Sequence, residues 1–403
     1  MFEQVELAIE RKRIEDAHRG EGYGYSSRMP DRLFAILAGR DDASNADWPA
    51  LLAEAESHGV LPLFAQRAVT IAPPDVRTDL RRIQQQTMHR NMRRLRDFAI
   101  AVNALHARGI DVVALKGMQL VPLIYGNLAS RGMIDIDLLV PAESLNAAAE
   151  VMRDLGYKSL RPFRIAADPI PYYAHHVPPF IKSDASTVEL HWHVCEQRTA
   201  VTIDVDELWR RAVPARIGGV DTKVFASEDL LLHLAVHATY SHRCQGSARA
   251  CCDVAEIVRT QAIDWDAVIE RARRWNVAAG TYLVLRLARE LLDAAIPSHV
   301  LDALQPPAFD ERLLRIALRG EHAGHSHRLR HARGARAKLR AAKELLFIGR
   351  DQLADTHNVK RSSPLVYGLY IARAAKMAKR WREAARGNDD AHAIDTFLRG
   401  ASK

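Results

Sequence analysis

Asp135 and Asp137 are separated by one residue within the apolar run Ile134 to Val140. Side chains on an extended strand alternate with a period of two, so both carboxylates project from the same side of that run. Like charges this close raise each other's pKa and cost desolvation energy unless a cation compensates them. Paired aspartate oxygens suit Mg²⁺ (or Mn²⁺), a hard cation that takes one or two carboxylates and leaves positions for water and substrate phosphates. Upstream stands Leu115-Lys116-Gly117-Met118, a glycine turn closing the short apolar run Val112 to Leu115. Downstream, Thr187 to Trp192 carries Glu189 and His191 on one face of a further strand. In-line transfer of a phosphoryl or nucleotidyl group uses these parts together. Three carboxylates from two neighbouring strands can hold two metal ions that neutralise a triphosphate and the attacking oxygen. The N–H groups of Gly117 and Met118, opening a helix, can cradle a phosphate. Lys116 and Arg131 can contact its oxygens, as a point charge and as a fork.

Each residue also has a purely structural account. Asp135 and Asp137 could be strand-end acids paired with Arg131 and Lys116, although buried ion pairs bring little net stability. Glu189 could face solvent, and Gly117 could serve only a turn with positive φ. His191 either orients Glu189, relays a proton, or is a satisfied histidine. His175 and His176 lie on the stretch leading to Glu189 and could reach the site. His233 and His237 stand four apart, a zinc-like spacing, but no H-E-x-x-H frame surrounds them, so packing or hydrogen bonding is expected. Cys244, Cys251 and Cys252 with His242 lack the two C-x₂-C pairs of a structural zinc site and read as small buried hydrophobes. His322, His325, His327 and His331 fall in a glycine- and arginine-rich segment that gains charge below about pH 6.5 and invites adventitious metal.

The elements that must position these groups follow from periodicity. Residues from Asp31 to Ala107 read as helices, with Ala46-Asp47-Trp48 capping one of them and Gly59-Val60-Leu61-Pro62 breaking it. Thr78 to Ala107 is one long amphipathic stretch with Arg81, Arg82, Arg90, Arg93 and Arg94 on its polar face. The pattern changes at Arg108-Gly109-Ile110 to strands at Val112–Leu115, Ile134–Val140 and Thr187–Trp192. Between them Met118 to Tyr125 is helical, and Pro141 starts a helix over Ser144 to Leu155 that Gly156 caps. The passage through Pro162, Pro169, Pro171, Pro178 and Pro179 must be a loop or broken hairpin, since proline cannot sit in a central strand. From Ser227 to about Ala385 the chain is helical apart from a loop at Gly320 to Gly334, and the polar tail after Gly387 frays. The fold class is α+β, a small mixed β-sheet core at residues 108–226. An N-terminal helical region, 1–107, and a C-terminal helical domain with a basic tail, 227–403, flank it.

Composition sets the wider limits. A chain of 403 residues and 45.1 kDa, 48% hydrophobic, is long enough for two or three packed units. No apolar run approaches the ~20 residues of a membrane span. Met1 to Asp16 is dense in charge and lacks the apolar centre of a signal peptide. Four cysteines make no disulfide framework, so a reduced, cytoplasmic protein is expected. The net charge of +8 is concentrated late, in a run from Arg328 to Lys343 and another from Lys376 to Arg386. These are either solvated helix faces or a docking surface for nucleic acid, for which Tyr367, Tyr370 and Trp381 are the aromatics at hand.

A strand, a glycine turn opening a helix, an acid-x-acid strand and a third acid on a further strand resemble the nucleotidyltransferase superfamily of the DNA polymerase β type. The chain is more closely similar to an uncharacterised bacterial nucleotidyltransferase family. The matching residues are Leu115-Lys116-Gly117, Arg131 ahead of Asp135 to Val140, and Glu189-Leu190-His191-Trp192. The resemblance covers roughly Asp31 to Leu301 and takes in His233, His237 and Asp253. It implies metal-dependent transfer of a nucleoside monophosphate from an NTP such as ATP to an acceptor. In it, Asp135 and Asp137 bind metal, and Glu189 completes the site and helps deprotonate the acceptor hydroxyl. The superfamily usually has serine directly after the turn glycine, where this chain has Met118. Lys116 or Arg131 then stands in for the lost hydroxyl contact, or the protein binds nucleotide or RNA without turnover. A kinase-like transfer ranks last, since no P-loop or kinase signature is present.

Overall fold

A computed structural model describes residues 31 to 319 apart from 161–174, 196–200, 245 and 308, with short stretches at 367–370, 393–394 and 396–398. Two compact units divide the chain, residues 26–320 with 396–403, and residues 1–25 with 321–395. The first unit carries every element that follows. Both basic runs, the four histidines from His322 to His331, Trp381, and Pro162, Pro169 and Pro171 lie outside the described residues.

Four helices open the described chain: α1 (Asp31–Leu37), α2 (Trp48–Ser57), α3 (Leu61–Ala68) and α4 (Pro74–Ala107). Asp47 caps α2 by accepting the Ala50 N–H at 3.1 Å, which satisfies one of the donors a helix start leaves orphaned. Gly59, at φ +69°, turns the chain out of α2, and Pro62 sits in the first turn of α3. The long α4 buries Phe98, Ala101, Val102 and Leu105 against the sheet. Its polar face is narrower than the arginine pattern predicts, because Asn91 and Arg94 are buried too.

The sheet has seven strands, β1 (Val113–Ala114), β2 (Ile136–Leu139), β3 (Lys158–Ser159), β4 (Phe180–Ile181), β5 (Val188–His191), β6 (Val213–Ile217) and β7 (Val220–Val224). They lie in the order β3-β4-β5-β2-β1-β7-β6. Two pairings are parallel, β2 with β5 and β1 with β7, and the rest antiparallel. This mixed sheet among helices is the expected α+β class. The strands are shorter than the apolar runs, and Asp135 falls just before β2 rather than within it. The end of the proline passage folds back as β4 beside β3 and β5. The sequence reading missed β6 and β7, although the Gly218-Gly219 pair is a hairpin signal. Both glycines have positive φ, and a Cβ on Gly218 would come within 2.9 Å of the Leu95 carbonyl oxygen.

Helix α5 (Gly117–Gln119) follows β1 and continues as a π turn, Leu120–Tyr125, while α6 (Leu145–Asp154) follows β2. Alternation along β2 and β5 sorts the two faces of the sheet. Ile136, Leu138, Val188 and Leu190 join the core formed with α4 and α6. Asp137, Glu189 and His191 occupy the other face. Beyond α7 (Val205–Arg211) come α8 (Ser227–Val236), a second π turn (His237–Ser241), α9 (Ser247–Thr260), α10 (Trp265–Arg274), α11 (Ala278–Leu292), α12 (Ser298–Leu304) and α13 (Arg312–Arg319). The N-terminal helices pack on these later ones. Arg40 donates to the Leu291 carbonyl at 2.7 Å, and Arg67 pairs with Glu256 at 2.7 Å.

Candidate active site

Parallel pairing of β2 with β5 sets Asp137 beside Glu189 and Leu139 beside His191. His191 Nε2 donates to Asp137 Oδ1 at 2.8 Å and lies 3.5 Å from Glu189 Oε2. Lys116 Nζ donates to the same Asp137 oxygen at 2.8 Å. Asp137 and His191 are almost fully buried, whereas Glu189 and Asp135 keep partial access to solvent.

Their electrostatics differ. Burial, reinforced by the charges of Asp137 and Glu189, raises the Asp135 carboxyl to about 7. Burial acts the same way on Asp137, but the Lys116 ammonium and the His191 hydrogen bond outweigh it and hold Asp137 well below the usual carboxylate range. His191 likewise overcomes burial at Glu189, which stays below its ordinary value. In return Asp137 and Glu189 raise His191 against its own desolvation. The ligand atoms of Asp137, Glu189 and His191 all lie within 4.8 Å of one another, the one such group among the described residues. Two carboxylates and an imidazole converging at this separation fit a small divalent cation.

The turn after β1 differs from a plain glycine turn. Positive φ falls on Lys116, at +45°, and not on Gly117. A lysine held there costs about 1–3 kcal/mol of backbone strain, a feature that gathers at functional sites. Gly117 instead sits where a side chain would crowd its neighbours. A Cβ on it would stand 3.0 Å from Met133 Cγ and 3.3 Å from Arg131 Nη1. The Met118 N–H donates to the Leu115 carbonyl at 3.1 Å, and its side chain is wholly buried.

Arg131 does not pair with Asp135. Its guanidinium grips Asp253 on α9, Nε to Oδ1 at 2.6 Å and Nη2 to Oδ2 at 2.9 Å. Tyr125, at the end of the first π turn, donates to the same carboxylate at 2.8 Å. From the opposite side α4 holds the loop that leads to Asp135. Asn91 donates to the Leu128 and Arg131 carbonyls at 2.7 and 2.8 Å and accepts the Met133 N–H at 3.1 Å, while Arg94 donates to the Ile134 carbonyl at 3.2 Å. Asn91, Arg94, Tyr125 and Asp253 support the site and drew no functional reading from sequence. A polar pair inside an otherwise amphipathic helix was the available signal for Asn91 and Arg94.

Histidines surround the acids. His176 bridges to His191 along the backbone, and its ring lies 5.1 Å from that of His191, with His175 at 5.5 Å. His176 Nδ1 donates to the Val177 carbonyl at 2.8 Å. His233, His237 and His242 line α8 and its π turn, with rings 6.1 Å and then 4.3 Å apart. Burial lowers His233 to about 3 and His242 to about 4, and the Lys116 charge adds to both shifts. All four cysteines are buried and outside any disulfide, and Cys244, Cys251 and Cys252 sit as the expected small buried residues.

A family model described as an uncharacterised nucleotidyltransferase matches residues 44–293, more than half of the chain. No curated protein and no solved structure matches it.

Proposed function

The chain belongs to this uncharacterised nucleotidyltransferase family, and from that premise we propose that it moves a nucleoside monophosphate from an NTP to an acceptor in a divalent-metal-dependent step. The fold would be of the DNA polymerase β kind. The observation that carries this reading is the β2–β5 register, which sets Asp137 beside Glu189 with Lys116 and His191 bonded to the same aspartate oxygen.

Asp135, Asp137 and Glu189 hold the cation, with His191 fixing the orientation of the last two. Bound there, Mg²⁺ or Mn²⁺ supplies charge neutralisation of the triphosphate and a more acidic attacking hydroxyl. Glu189, the less buried of the β2–β5 acids, takes the acceptor proton as the acceptor oxygen bonds to the α-phosphorus and the bond to pyrophosphate breaks. Lys116 contacts phosphate oxygens. Gly117 contributes backbone alone, while the Met118 N–H is spent on the Leu115 carbonyl and its side chain is buried, so the expected Met118 contact to phosphate is not available from this turn. Arg131, whose fork is taken by Asp253, holds the loop under Asp135. His176 lies beside His191 and serves acceptor contact. Acceptor recognition falls to the helical parts, 1–107 and 227–403, on either side of a catalytic part at 108–226.

Incubation with each α-labelled NTP and Mg²⁺, with small molecules, protein or RNA ends as acceptors, tests the assignment. Label should transfer with the wild-type chain and fall to background with Asp135→Asn plus Asp137→Asn. The buried methionine in the usual serine position supports a second reading, a nucleotide- or RNA-binding protein without turnover. That reading predicts NTP binding that survives the double substitution and no transfer by wild type.

A further inference from the structure

His233, His237 and His242 are left over by nucleotidyl transfer; the His233 ring packs edge-on against Phe225, as expected of a packing residue, but the nitrogens of the group are not accounted for by packing. His233 is buried, and neither of its ring nitrogens has a hydrogen-bond partner among the described residues. Nδ1 of His237 is buried and without a partner as well. Buried polar atoms are nearly always paired, so three orphaned nitrogens on neighbouring rings call for a ligand.

The backbone brings the rings together. Residues 233 and 237 lie one turn apart on a common helix face. Residues 237 and 242 would diverge by roughly 140° on a regular α-helix. The π turn removes that divergence. The His242 N–H donates to the His237 carbonyl at 3.0 Å, five residues back, and the two rings end 4.3 Å apart. Single π turns inside helices gather at functional sites.

We propose that His233, His237 and His242 form a second cation site beside the acids, one that takes a borderline divalent transition metal such as Zn²⁺ or Co²⁺ rather than Mg²⁺. Imidazole nitrogen suits such ions, whereas Mg²⁺ seeks oxygen. Two imidazoles on one tetrahedral ion, with bonds of 2.0–2.1 Å, have ring centres about 5 Å apart. The observed separations of 6.1 and 4.3 Å lie either side of that value. As they stand the three rings do not form a group with ligand atoms within 4.8 Å of one another, so a shared ion requires their side chains to rotate toward it. Desolvation and the Lys116 charge favour the neutral, ligating form at His233 and His237 and act in the same direction on His242, which sits at the solvent edge; an anion site would favour protonated rings. His175, whose ring feels the charge of His233, stands next to the group. The site does not depend on whether the acids transfer nucleotide.

The test uses the full chain with His322, His325, His327 and His331 changed to Gln, so that those imidazoles do not compete. Asp137→Asn and Glu189→Gln are added to silence the acid centre. Titration with Co²⁺ should give one equivalent with the intense visible absorption of a tetrahedral, nitrogen-ligated ion, displaced by Zn²⁺. Adding His233→Gln and His237→Gln should abolish it. His242→Gln, at the solvent edge and harmless to packing, should weaken it at least tenfold. Absence of the absorption before the His233 and His237 changes, or its persistence in the His242→Gln protein, overturns the proposal. Loss of transfer activity in the Asp137→Asn chain bears on the acids alone.

Discussion

At the residue scale, Asp135 is the acid whose charge state lies nearest to changing. Burial and its two carboxylate neighbours raise it to about 7, so below neutrality it carries a proton that a cation must displace. Divalent-cation affinity is expected to climb about tenfold per pH unit below that value and to level off above it. Mn²⁺ binding followed by EPR on either side of neutrality checks this, and a flat profile would remove Asp135 from the ligand set. The linkage has a definite sign. An acid whose folded value is raised destabilises the fold progressively as pH rises from its ordinary 3.8 to about 7, and fully above that. Asp135→Asn should therefore raise the thermal midpoint of metal-free protein at mildly alkaline pH, with the gain fading toward pH 3.8. His191 acts through its neighbours. It holds Asp137 and Glu189 together, and His191→Gln is expected to cost about 10–100-fold in metal affinity, read by the same titration.

At the scale of elements, the site is a junction of β2, β5, the turn after β1, and α9. The Asp253 carboxylate of α9 ties that helix to the loop before β2. Asp253, nearly fully buried, receives both prongs of Arg131 and the Tyr125 hydroxyl, which are half-buried. Asp253→Asn leaves the Arg131 guanidinium without its counter-charge, and urea unfolding should show a loss of about 3–5 kcal/mol. The turn after β1 has a different weakness. Gly117→Ala would push a methyl toward Met133 and Arg131, and overpacking of this kind costs about 1–3 kcal/mol. The same substitution should raise the KM for NTP, because the backbone carrying Lys116 shifts with it.

At the scale of the molecule, the helical stretches at either end of the matched region pack on each other within the unit that spans residues 26–320 with 396–403. Among the described residues no helix is long and apolar enough to cross a membrane. Most of the excess positive charge belongs to the two late basic runs. If these dock RNA, affinity should fall steeply with salt as counterions are released. Neutralising Arg328, Arg330, Arg333, Arg336, Lys338, Arg340 and Lys343 to Gln should flatten that dependence and leave NTP affinity unchanged. Filter binding across a salt series separates the outcomes.

The acids of β2 and β5, the glycine turn and the α+β class were legible because each rests on local rules: period two in a strand, proline and glycine at breaks, a capping aspartate before Trp48. The β6–β7 hairpin was equally local, in Gly218-Gly219, and was overlooked. What no local rule contains is partnership across more than a hundred residues. Arg131 faces Asp253 and not Asp135 because α9 packs over the loop before β2, a fact of tertiary geometry. Positive φ falls on Lys116 rather than Gly117, while Met133 and Arg131 stand close to the glycine's missing Cβ, neighbours that only the tertiary fold supplies. The opening pair changed its meaning in the same way. By sequence Asp135 and Asp137 were equivalent carboxylates; the fold gave Asp137 to Lys116 and His191 and left Asp135 raised to about 7, because burial and nearby charge act through space and not along the chain.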